Sequence, residues 1–184
     1  MTIWFGASFG RAGRMTNTGD TLEPLGAAEG FPEGQAAYGW ATDGRGRMWF
    51  TFLKGIGRVD SPSKISAFTK GFLDGASVND ITLGPDGNLW FTDRLNGIGR
   101  ITPKGAVKMY PVNGGPCSIT SAAGALWFTN LYTGTIGRIT VAGKVTQFDV
   151  PVPPSTFQGG IAAGPNKTLW YVTDQQRVVR VKLP

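Results

Sequence analysis

Apolar and polar positions along the chain fall into short bursts separated by glycine- and proline-containing turns, and the bursts recur. The clearest stretch runs from Ile81 to Val112 and reads ITLGPDGNLWFTDRLNGIGRITPKGAVKMYPV. Ile81-Thr82-Leu83 predicts a first strand, A, closed by the turn Gly84-Pro85-Asp86-Gly87. Leu89 to Thr92 predicts strand B, because β-branched and aromatic residues in a short run favour strand over helix. Asn96-Gly97 predicts a hairpin turn into strand C, Ile98 to Thr102. Pro103-Lys104-Gly105 then turns into strand D, Val107 to Tyr110. Pro111 ends it, since proline donates nothing to a ladder.

The same pattern recurs around Trp4, Trp49, Trp90, Trp127 and Trp170, at steps of 45, 41, 37 and 43 residues. An arginine follows each tryptophan by 9 to 11 residues: Arg14, Arg58, Arg100, Arg138 and Arg180. Three of these close an Ile-Gly-Arg triplet. Four short antiparallel strands at a period near 40 residues describe a propeller blade. A β-sandwich does not repeat an aromatic at one blade position, and no copy has a helical period long enough for a solenoid. The fold class is therefore all-β, a single propeller domain of four-stranded antiparallel blades. Its copies span about 1–30, 31–72, 73–113, 114–152 and 153–184. The tryptophans are expected to fill the space between blades. The arginines are expected over an aromatic face or on blade-connecting carbonyls, and the glycines where φ is positive or strands approach closely.

The first copy begins at strand B (Thr2 to Phe5) and the last ends at strand C (near Val178), giving eighteen strands and about four and a half blades. Neither end supplies what the other lacks. That leaves a five-bladed ring with two thin blades, or a ring or stack completed by further chains. Self-association is the expectation, because open sheet edges and apolar blade faces invite it.

Composition adds exclusions. The chain has 184 residues, 28 glycines, 12 prolines, one cysteine (Cys117) and no histidine. An internal disulfide and a Cys/His zinc site are thereby ruled out. The net charge of +6 raises nucleic acid as a partner, but five of the ten arginines sit at the fixed repeat position and the rest are scattered. Nucleic acid is therefore not expected. No apolar run is long enough for a membrane helix, and residues 1–14 do not read as a signal peptide, so the expected location is cytoplasmic.

The phrase GPDGNLWFTD…NGIGRITPKGAVKMYPV resembles the streptogramin (virginiamycin B) lyase repeat over nearly the whole chain. The resemblance implies a seven-bladed relative whose lyases open a cyclic depsipeptide at its ester by elimination. A histidine serves there as general base and magnesium polarises the carbonyl. It places that histidine just before strand A and an acid at the end of strand B. Here the histidine position holds Tyr38, Asn79, Cys117 and Gly159; the acid position holds Ala7, Phe52, Asp93, Asn130 and Thr173. No imidazole and a single carboxylate remain, and no cofactor is expected; magnesium belongs to the lyase alternative, in which Asp93 alone would hold it weakly.

The chain thus reads as a non-catalytic binding or assembly module, taking a small-molecule or protein ligand at the channel mouth on Tyr38, Asn79, Asp93, Cys117 and Asn130. The alternative is a lyase or hydrolase with a rebuilt site using Asp93, Cys117 and Tyr38; a propeller fragment or engineered repeat protein is a third. A reactive thiol needs a partner that lowers its pKa, and the repeat places no lysine or arginine beside Cys117.

Overall fold

A computed structural model describes residues 2–7, 11–16, 21–150, 160–173 and 177–183. Its eighteen strands form five separate antiparallel sheets in chain order. Blade 1 is β1 (Thr2–Ala7), β2 (Arg11–Thr16) and β3 (Thr21–Leu25). Blade 2 is β4 (Trp40–Thr42), β5 (Met48–Phe52), β6 (Gly55–Ser61) and β7 (Lys64–Phe68). Blade 3 comprises β8 (Val78–Leu83), β9 (Leu89–Asp93), β10 (Gly97–Ile101) and β11 (Val107–Tyr110). Blade 4 comprises β12 (Pro116–Ala122), β13 (Ala125–Asn130), β14 (Thr135–Ile139) and β15 (Val145–Asp149). Blade 5 is β16 (Ile161–Gly164), β17 (Thr168–Val172) and β18 (Val178–Lys182). Among the described residues a single 3-10 turn, Ala27–Glu29, precedes blade 2.

Strand B is buried along its whole length in blades 3 and 4. A sheet covered on both faces needs apolar residues on both, which is why Leu-Trp-Phe-Thr does not alternate with charges. The two faces take different residues. Trp49, Trp90 and Trp127 pack into the apolar clusters of the blade that follows. Phe91, Phe128 and Tyr171, one position on, join those same clusters from the other side. Each of these three junctions is thus a tryptophan meeting the next blade's aromatic ring, and truncating such a buried ring costs about 3–5 kcal/mol.

The repeated arginine lies opposite its tryptophan in the ladder: Trp4 with Arg14, Trp49 with Arg58, Trp90 with Arg100, Trp127 with Arg138, Trp170 with Arg180. In the last four pairs the guanidinium stands 5.2–5.9 Å from the indole centroid. A strand D aromatic covers the same indole, with Phe68 on Trp49 and Tyr110 on Trp90, each at 5.4 Å. The side chains of Trp4 and Arg14 lie outside what is described.

Candidate functional site

Strand A begins and strand B ends at the same end of a blade, so the histidine and acid positions of successive copies converge there. A bulge sharpens the arrangement. In blade 3 Val78 pairs with Asp93 and Ile81 with Phe91, so Asn79 and Asp80 together oppose Thr92. In blade 4 Cys117 and Ser118 oppose Thr129 in the same way. An extra residue in one strand re-aims its side chains, and here it falls on the inherited chemical position.

In blades 2 and 3 a strand B hydroxyl bonds across to the bulge of the next blade. Thr92 accepts from the Asp80 N–H (3.0 Å) and donates across the junction to the Cys117 carbonyl (2.8 Å). Thr51 does the same between Gly39 N–H (2.8 Å) and the Asn79 carbonyl (2.6 Å). Asp80 adds a second link, accepting from the Ser118 hydroxyl (2.7 Å) and the Ile119 N–H (3.0 Å).

Within this frame Asn79 and Cys117 meet. Asn79 Nδ2 donates to the Cys117 carbonyl at 2.8 Å and lies 3.7 Å from its Sγ. Arg94 completes the group, with Nη2 3.0 Å from Asn79 Oδ1 and 3.6 Å from Cys117 Sγ. Its Nε is buried without a partner among the described residues. Arg94 carries no repeat signature, because its position in the B–C turn holds Leu53 and Leu131 in neighbouring copies. Cys117 itself is 8% exposed.

The other candidates lie apart from this trio. Asp93 is fully buried, and its carboxylate accepts from the N–H groups of Ser77, Leu95 and Asn96 and from the Asn96 side chain, all at 3.0–3.2 Å. It staples its own turn. Asn130 is also fully buried; its Nδ2 donates to Thr135 at 2.9 Å, whereas its Oδ1 has no partner among the described residues. Phe52 joins the apolar core and Thr173 is buried. Tyr38 is half exposed just before β4. Gly159 lies outside the described residues.

Exposed apolar side chains lie at the same end of the blades as the polar trio. Leu53, Leu95 and Tyr132 occupy the B–C turns of blades 2, 3 and 4, and Leu73 the connection into blade 3; all four are exposed, as is Tyr38. Every one of these segments lies at the mouth end of its blade.

A sequence profile of the Virginiamycin B lyase family matches residues 1–183. The chain belongs to this family. Virginiamycin B lyase of Nocardia farcinica is 32% identical over 155 residues, covering 82% of this chain and 52% of that protein. A streptogramin B lyase structure superposes with a TM-score of 0.79 at 29% identity, over 96% of this chain and 63% of that one. Virginiamycin B lyase from Staphylococcus aureus gives 0.81 at 28% identity, covering 99% and 66%. A catalytically inactive histidine-to-alanine variant of that enzyme, with quinupristin, gives 0.80 at 28% identity. The chain therefore spans between about half and two thirds of these family members.

The magnesium that the family resemblance implies does not fit the residues present. Asp93 is the one carboxylate in the acid positions, and its turn already occupies both oxygens. No group of three or more carboxylate, thiol or imidazole side chains gathers among the described residues.

Proposed function

We propose that this family member binds an apolar cyclic peptide or depsipeptide across the channel mouth and leaves its ester intact. The observation that carries the reading is the occupation of the family's histidine positions by Tyr38, Asn79 and Cys117, with exposed Leu53, Leu73, Leu95 and Tyr132 at the same end of their blades. Concave sites that hold small ligands combine an apolar lining with a few convergent polar groups, and this mouth has both. Quinupristin, the compound held by the inactive relative, is the probe of choice. Calorimetric titration should show saturable binding that Tyr38→Ala and Leu95→Asp weaken. Mass spectrometry after incubation with magnesium should show no ring-opened product. Absence of binding, or turnover lost on Asp93→Ala, would overturn the reading.

A second reading rests on Arg94. Its guanidinium lies 3.6 Å from Cys117 Sγ, which sets a candidate nucleophile beside a cation able to stabilise the oxyanion formed when an ester or lactone carbonyl is attacked. Ring-opened product abolished by Cys117→Ala and retained by Asp93→Asn would select it over the binding role. Association between copies belongs to the same proposal, supported by the uncovered face of blade 5: Trp170, Val172 and Val178 are all exposed.

A further inference from the structure

The opposite end of the molecule carries a feature that the mouth does not explain. The A–B turn of blade 2 and the C–D turn of blade 3 flank an open notch of about 700 Å³. Four of its lining residues are cationic: Arg45, Arg47, Arg58 and Lys104. Phe68, stacked on Trp49, forms its apolar floor.

Two of the cations are fixed in advance. The Arg58 guanidinium lies 5.2 Å from both ring centroids, donates to the Pro103 carbonyl at 2.8 Å and pairs with Asp60. Arg47 pairs with Asp43 at 2.7 Å and lies 5.9 Å from Trp49. These two carboxylates offset Arg47 and Arg58, so the surplus positive charge of the notch comes from Arg45 and Lys104. Asp43 is 5% exposed and already accepts from the Arg45 and Arg47 N–H groups, the Arg47 side chain and the Trp49 indole. Asp60 is shared between Arg58 and Ser66. Arg45 and Lys104 are exposed, and neither side chain has a partner among the described residues.

The scaffold does not require these charges. Counting back from the tryptophan, Arg45 and Arg47 stand where blade 3 has Asp86 and Asn88, blade 4 has Ala123 and Ala125, and blade 5 has Asn166 and Thr168. In blade 3 the indole bonds Asp86 at 2.9 Å. Blade 2 moves that acid to Asp43 and fills both freed positions with arginine. The turn keeps its indole anchor and acquires two cations at one junction alone.

We infer that this notch is a binding site for a phosphate- or sulfate-bearing molecule presenting two or more oxyanions. Planar guanidinium groups match tetrahedral oxyanions bidentately, and pre-positioned ones give up little freedom on binding. The notch is too wide for one phosphate ion, and its rim cations, Arg45 and Lys104, sit on different blades so that a ligand must bridge them.

Tripolyphosphate and a sulfated disaccharide, titrated separately into the intact chain, distinguish the two sources of the oxyanion. Binding of either should be saturable, weaken steeply with added salt and shift the Arg47 and Arg58 Nε–Hε signals in nuclear magnetic resonance spectra. The double substitution Arg45→Asp with Arg47→Asn, which restores the blade 3 pair, should weaken it by about tenfold or more. Arg45→Ala with Lys104→Ala touches exposed residues only, and should weaken it severalfold at an unchanged melting temperature. The pair Lys70→Ala and Lys144→Ala removes equal charge from exposed positions outside the notch lining and should leave binding intact. Equal weakening by that control, undiminished binding by the Arg45/Lys104 variant, or no saturable binding of either probe overturns the inference. Quinupristin binding at the mouth is a separate readout and is expected to be unaffected throughout.

Discussion

A methyl group built on Gly99 would sit 2.0 Å from the Phe91 ring. Gly57 against Phe50 and Gly137 against Phe128 show the same distance. These three glycines lie in extended strands and carry no positive φ, so the requirement is one of space: the aromatic ring lies across the facing strand. The triplet Ile-Gly-Arg therefore encodes three contacts, with isoleucine toward the core, glycine under the ring and arginine over the indole. Gly99→Ala must displace either the ring or the strand, and overpacking of this kind costs about 1–3 kcal/mol. Denaturant unfolding should show a lower midpoint with an unchanged slope. A variant as stable as the parent would mean that the Phe91 ring is free to move aside, contrary to its complete burial.

Between blades 3 and 4, β9 and β12 are held by the Thr92 hydroxyl as much as by apolar contact. Thr92→Val keeps the shape but leaves the Asp80 N–H and the Cys117 carbonyl without this partner. An unpaired buried polar group costs about 1–3 kcal/mol, so the valine variant should lose stability while Thr92→Ser retains most of it. Identical thermal unfolding of the serine and valine variants would assign the role to packing alone. This strand also separates what the chain's pattern discloses from what it hides. Its residues, its ends and its turn partners follow from a short run of apolar and β-branched residues between turn signals, and the tryptophan and arginine positions follow from the repeat. The bulge that turns Asn79 and Cys117 toward the mouth does not, since two residues opposing one is a relation between strands. Arg94 was hidden for the same reason. It approaches Cys117 across a blade junction and 23 residues of sequence, and no second copy carries a cation there to mark the position.

The five sheets pack in succession, and the treatment of one recurring surface differs at the end of the series. Phe68 and Tyr110, on the outer strands of blades 2 and 3, are each covered by a glycine of the following C–D turn: the position of a Cβ on Gly105 or Gly143 is 2.3 Å from the ring. Phe148 in blade 4 stacks on Trp127 at 5.8 Å, yet it is 43% exposed. Beside it lies a cavity of about 490 Å³ lined by Trp127, Ile136, Val150, Leu169, Val181 and Leu183. Beyond it Trp170, Val172 and Val178 are exposed on blade 5, and within the described residues β18 pairs on one edge only. Apolar surface continuous with an unpaired strand edge favours pairing with another polypeptide. The expected outcome is concentration-dependent association of this 19.6 kDa chain, seen as a rising mass by light scattering or sedimentation. Val178→Lys on the β18 edge, combined with Phe148→Ser beside the cavity, should shift the equilibrium toward the single chain. Both side chains are already substantially exposed, so the fold should tolerate the change. A strictly monomeric parent at every concentration would place the stability of blade 5 in the chain's own contacts and remove the case for association through this face.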